Sequence, residues 1–144
     1  MQITIRHILE VKGYDIWTVG PETSVYDALR MMSDKDVGAL LVMENDKMVG
    51  IVSERDYARK VVLLGKTSHS TKVSEIMSGT LFTIHPDQTV EEAMELMNNK
   101  RIRHLPVVDD GGRLIGVISQ RDVMRAIIYK QRAVISDLED KVLK

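Results

Sequence analysis

The chain has no cysteine. That excludes disulfide staples, thiolate metal ligands and a cysteine nucleophile, and it fits a reducing compartment. Aromatic residues are scarce: one Trp and one Phe stand against nine Met. A core drawn from such a set is aliphatic and adaptable. A formal net charge of −1 gives no general pull toward nucleic acid or anionic membrane, so neither is expected as a partner. No uninterrupted apolar run approaches the ~20 residues needed to cross a bilayer. The N-terminal MQITIRHILEVKG has neither the apolar core nor the small-residue cleavage site of a secretory leader. The expected location is cytoplasmic. The histidines, His7, His69, His85 and His104, show no metal-ligand spacing. Neither a Gly-rich phosphate loop nor a G-x-S-x-G turn is present. The expectation is a chain with no metal and no catalysis of its own.

What the chain does have is a repeat. Residues 18–57 and 83–123 say nearly the same thing, with one residue added in the second copy's turn. Pro21/Pro86, Val25/Val90, Ala28/Ala93, Met32/Met97, Lys35/Lys100 and Gly50/Gly116 are among the identical pairs. Such a repeat implies two copies of one supersecondary unit and a pair of sites. With 144 residues and 44% apolar content, the chain is one globular domain or two closely associated halves.

Each copy opens with a short extended piece, residues 16–19 and 81–84, which Pro21 and Pro86 end. Thr23/Ser24 and Gln88/Thr89 stand at cap positions. Val25, Ala28, Leu29 and Met32, and likewise Val90, Ala93, Met94 and Met97, then fall at helical spacing. Short apolar runs at 39–43 and 48–52, and at 105–108 and 114–118, flank the turns ENDK and DDGG as β-hairpins. A second helix is predicted after Ser53 and after Ser119. The unit is β-α-β-β-α, an α/β (α+β) arrangement in which helices must cover the apolar strands. Helical leads, IRHIL at 5–9 and VSEIM at 73–77, precede the copies, and the polar LGKTSHSTK at 64–72 connects them. After Arg121 the last helix carries Ile128, Ile135, Val142 and Met124, Gln131, Leu138 at sevenfold spacing, an a/d seam. Ile128, Ile135, Leu138 and Val142 are expected to be buried against the chain's own body or a second subunit of a homodimer.

The strongest local motif is doubled: GIVSERD at 50–56 and GVISQRD at 116–122. Ser at a helix start followed by Asp three residues later makes a capping box. The same geometry can hold a ligand that carries a ribose and a phosphate. Asp accepts ribose hydroxyls, the helix start offers free N–H groups to an anion, and Arg neutralises phosphate. Arg59 and Lys60 are further possible phosphate contacts.

Together with Met77-Ser78 and the IRHLPVVD stretch at 102–109, these motifs resemble a pair of CBS domains, a Bateman module, over about residues 5–128. The stretch VGIVSERDYARKV is similar to stand-alone bacterial CBS-pair proteins and their plant organellar relatives. The resemblance implies two CBS motifs, residues 5–64 and 73–128, related by pseudo-two-fold symmetry, with a helical extension at 129–144. It implies binding of an adenosyl ligand such as AMP, ADP, ATP, S-adenosylmethionine or NAD(H), and transmission of occupancy to an unidentified regulated protein. It also assigns pockets shared between copies. Ser53, Arg55 and Asp56 would join Leu81, Phe82, Ile102, Arg103 and His104. Ser119, Arg121 and Asp122 would join Ile16, Trp17, Val37, Gly38 and Ala39. Two rival expectations stay open: a protein that regulates a partner without ligand, and an enzyme acting on a nucleotide in the same cleft.

Overall fold

The computed structural model describes residues 2–143, which divide into two compact units. One unit is contiguous, residues 16–81; the other combines residues 1–15 with 82–144. These boundaries differ from those of the sequence repeat. Each lead belongs to the unit built around the other copy.

The contiguous unit begins with β1 (Thr18–Val19), which runs parallel to β2 (Ala39–Glu44). Between them lies helix α2 (Val25–Lys35). Ser24 caps it by accepting the Asp27 N–H, and Asp36 ends it in the left-handed region with φ 54°. Strand β2 pairs antiparallel with β3 (Lys47–Ser53). Asn45 and Asp46 are both left-handed, as a two-residue hairpin turn between right-twisted strands requires. A short helix, α3 (Glu54–Tyr57), passes into a π-helical turn at Ala58–Val62 that buries Val61. The connector folds back on α2: Val25 N–H donates to the Thr71 carbonyl and Tyr26 N–H to the Ser68 carbonyl. The unit closes with α4 (Val73–Ile76), whose Val73 and Ile76 join Val19, Val25, Ala28, Met32, Leu40, Val42 and Val52 in one core.

The second unit repeats this plan with α1 (Ile5–Lys12) in the place of α4. Its lead-in strand reduces to one parallel bridge, Ile84 with Val107. Then come α5 (Val90–Lys100), capped by Thr89, and the hairpin of β4 (His104–Val108) and β5 (Leu114–Ser119). One long helix, α6 (Gln120–Leu143), ends the chain. Ile5, Ile8 and Leu9 of α1 are buried with Ile84, Val90, Ala93, Met97, Leu105, Val107, Ile118 and Val123.

The two leads dock alike. Ile5 N–H donates to Gln88 O (2.9 Å), and Val90 N–H donates to Ile3 O (3.0 Å). In the other unit Val73 N–H donates to Thr23 O (2.8 Å) and Val25 N–H to Thr71 O (2.8 Å). The repeated glycine of the doubled motif lies beneath each lead. A Cβ on Gly116 would stand 2.6 Å from Leu9 Cδ2; one on Gly50 would stand 2.6 Å from Met77 Sδ and 2.9 Å from the Ser78 carbonyl. Glycine is needed there because the lead crosses the hairpin too closely for a side chain.

The C-terminal seam leaves only one of its two expected alternatives. Ile128, Ile135, Leu138 and Val142 are exposed, so their own body does not cover them. The face of α6 that meets α1 and α5 is instead the one bearing Val123, Ala126 and Ile127. It is also the face from which Lys130 reaches Glu91 (2.6 Å).

Candidate functional site

At the end of β3 the Ser53 hydroxyl accepts the Asp56 N–H (3.2 Å). In return Asp56 Oδ2 accepts the Ser53 N–H (2.9 Å) and its hydroxyl (3.0 Å). The end of β5 repeats this: Ser119 Oγ accepts the Asp122 N–H (3.2 Å), and Asp122 Oδ2 accepts the Ser119 N–H (2.8 Å). Each carboxylate is therefore fixed by its own turn before any ligand arrives. Both are part-buried. In each, Oδ2 is the oxygen that the turn engages.

Each aspartate also meets a lysine. Lys60 Nζ stands 3.5 Å from Asp56 Oδ1 and donates to the Ile76 carbonyl of the lead (2.9 Å). Lys12 Nζ, at the end of α1, donates to Asp122 Oδ2 (2.7 Å) and to the Val117 carbonyl (2.8 Å). Burial pushes the Asp122 carboxyl up, but the Lys12 ammonium and the hydrogen bonds from Ser119 outweigh it and hold the group below its ordinary range. Sequence reasoning missed Lys12, which lies 110 residues from its partner. It did name Lys60, though as a phosphate contact rather than a tie between the turn and the lead.

Strand register gives each turn its immediate neighbours. Ser53 pairs with Ala39, and Glu54 N–H donates to the Gly38 carbonyl (3.1 Å). Ser119 pairs with His104, and Gln120 N–H donates to the Arg103 carbonyl (2.7 Å). The structure thus sets Gly38 and Ala39 beside Ser53, and Arg103 and His104 beside Ser119. Arg55, Arg59 and Lys60 are exposed in the contiguous unit, as is Arg121 in the other. Ile16, Val37 and Leu81 are partly buried in the first unit, and Ile102 in the second.

The aromatics occupy matching places. Trp17 and Phe82 each lie partly buried against the core of their unit. A lysine covers the ring in each case: Lys35 Nζ is 4.3 Å from the Trp17 centroid, and Lys100 Nζ is 5.1 Å from that of Phe82. Because Lys35 and Lys100 are themselves a repeated pair, this is one cation–π contact used twice. Among the described residues there is no cluster of His, Asp and Glu able to hold a metal, and no helix long and apolar enough to cross a membrane.

The CBS domain family model matches residues 8–63 and 73–129. A mitochondrial CBS domain-containing protein of Arabidopsis thaliana, CBSX3, is 41% identical over 139 residues, covering 90% of this chain and 66% of the plant protein. The chain therefore spans slightly less than two thirds of that relative. The structure of a putative signal-transduction protein with CBS domains from Burkholderia ambifaria superposes with TM-score 0.84 at 46% identity, covering 89% of this chain and 96% of that one. The CBS domain pair of protein MJ0100, solved with 5′-methylthioadenosine and S-adenosyl-L-methionine, superposes with TM-score 0.79 at 25% identity over 90% and 99% of the two chains. Two family matches, each containing the same locked Ser-x-x-Asp turn, settle the kinship: this chain is a tandem pair of CBS domains and belongs to the CBS-domain family.

Proposed function

We propose that this chain is a non-catalytic sensor of an adenosyl ligand that passes occupancy to a regulated protein. One observation carries the reading: an aspartate whose Oδ2 is fixed by its own Ser turn occurs at the same place in both copies. A preset acceptor of that kind suits a ribose diol, since little order is lost on binding. The binding of 5′-methylthioadenosine and S-adenosyl-L-methionine by the MJ0100 pair supports the adenosyl class. AMP, ATP and NAD(H) share the same ribose end. In this reading Asp56 and Asp122 hold ribose. Ile16, Trp17, Val37, Leu81, Phe82 and Ile102 supply apolar surface for adenine. Arg55, Arg59, Arg121 and Arg103 answer phosphate, and the chain works as a homodimer in the cytoplasm. Small molecules released from denatured, freshly purified protein should include an adenosyl compound by mass spectrometry, and calorimetry with that compound should show binding without turnover. Protein that releases none, and that shows no heat with AMP, ATP, NAD(H) or S-adenosylmethionine, would remove the reading.

The two turns should not bind equally. His104 begins β4 opposite Ser119 with Arg103 just before it, whereas Gly38 and Ala39 hold the matching places beside Ser53. The Ser119 site should therefore prefer the more highly charged ligand, through charge-assisted bonds that salt weakens. Arg103→Ala should lower affinity at one site and flatten its salt dependence. The effect should vanish in an Asp122→Ala background. If it vanishes in Asp56→Ala instead, Arg103 serves the other turn; equal sites with one salt response would end the asymmetry.

A further inference from the structure

We infer that the exposed seam of α6 is the contact surface for a second copy of this chain, laid antiparallel along the first. Met124, Ile128, Ile135, Leu138 and Val142 are 49%, 43%, 55%, 56% and 83% exposed. They share one stripe, centred roughly 110° round the helix from the Val123, Ala126 and Ile127 face that meets the body, with Leu138 bordering that face. Between residues 124 and 142 the stripe runs roughly 27 Å at the helical rise. Beyond Ala133 every described side chain of the helix is exposed. A helical end of this length needs a covering partner to be stable in water.

The sequence of the seam is self-complementary in one direction. In an antiparallel pair, a positions meet d positions. Met124 then faces the partner's Val142, Ile128 the partner's Leu138, and Gln131 the partner's Ile135, with each layer repeated by symmetry. This register lays the projecting half of each helix on the half that the other copy anchors. It also brings Arg125 beside the partner's Glu139, twice per dimer. Both residues are exposed, and neither has an ion-pair partner among the described residues. One like-charge approach, Arg132 toward its own copy, falls on the symmetry axis at the solvent edge. A parallel pair would stack Gln131 on itself but would face Arg125 with the partner's Gln120 and Glu139 with the partner's Val134. Charge complementarity therefore selects the antiparallel arrangement. The inference is independent of any ligand.

Charge reversal on the full chain tests it. Glu139→Arg sets Arg against Arg at both flanks and should raise the dimer dissociation constant about tenfold or more. The double variant Arg125→Glu/Glu139→Arg restores both pairs and should return the constant to near wild type. Cysteine chemistry reads the register directly, since the chain has no cysteine of its own. Ile128→Cys/Leu138→Cys should oxidise to a covalent dimer, while either single variant should not, because like positions lie roughly 15 Å apart in this register. Self-linking by the single Leu138→Cys variant would overturn the antiparallel arrangement. A wild-type chain that scatters light as a monomer at high micromolar concentration, or a dimer indifferent to charge at 125 and 139, would overturn the interface.

Discussion

Leu9→Ala is expected to destabilise the chain by about 2–5 kcal/mol, and to do so in a place the linear order of the repeat would not indicate. Leu9 is fully buried, in one core with Val107, Ile118 and Val123. Its side chain fills the space above Gly116, where no neighbouring side chain can move in because there is none at that position. Truncation leaves a cavity, and residual cavities set the upper part of that range. Urea titration should show the loss as a lower midpoint with little change in slope. Native-state hydrogen exchange should then locate it. Amides of β4, β5 and α5 should lose more protection than those of β2 and β3, because α1 belongs to the unit of residues 82–144. Met77→Ala, on the other lead, should reverse that pattern. Greater loss in residues 16–62 on changing Leu9 would contradict the assignment of α1.

The second large effect concerns ligand. Asp56→Ala and Asp122→Ala should each weaken an adenosyl ligand at one site by roughly 10–100-fold, the loss of about 1.5–3 kcal/mol that attends removal of a charged acceptor. Each aspartate also caps its helix, so some stability will go with it. Ser53→Ala and Ser119→Ala separate the roles: they break the cap but leave the carboxylate, and should lower the melting temperature with a smaller change in affinity. Calorimetry on the double variant Asp56→Ala/Asp122→Ala should show no adenosyl binding at concentrations that saturate wild type. Full binding at two sites in that double variant would remove both turns from the ribose role.

Local features were legible in the sequence because they are written in neighbouring residues. Ser24 and Thr89 as caps, the apolar spacing of α2 and α5, the Asn45-Asp46 turn and the Ser-x-x-Asp box all depend on contacts within four positions. The doubling of the motif raised Asp56 and Asp122 above other acids, and both do lie locked at strand ends. Contacts between distant residues left no such trace. IRHIL and VSEIM have the same apolar pattern whichever hairpin they cover, so the repeat could not say to which unit each lead belongs. Lys12 reads as an ordinary basic residue at a helix end, and only the docking of α1 brings it to Asp122. The π-helical turn at Ala58–Val62 shares its apolar spacing with a plain helix. The seam of α6 was visible as a period, but a period does not say whether a face is covered.

The placement of α1 has a consequence for synthesis. As the chain leaves the ribosome, residues 16–81 contain every element of their own unit and can close as soon as they emerge. Helix α1 emerges earlier still, yet it has nothing to fold against: Lys12 must wait for a partner 110 residues further on. Throughout that interval the Ile5, Ile8 and Leu9 stripe is uncovered on a helix too short to persist in water. Helix α1 is therefore fixed later than the unit of residues 16–81 that follows it. The nascent chain is most exposed to association and to chaperones after its middle has folded and before its C-terminal hairpin is complete.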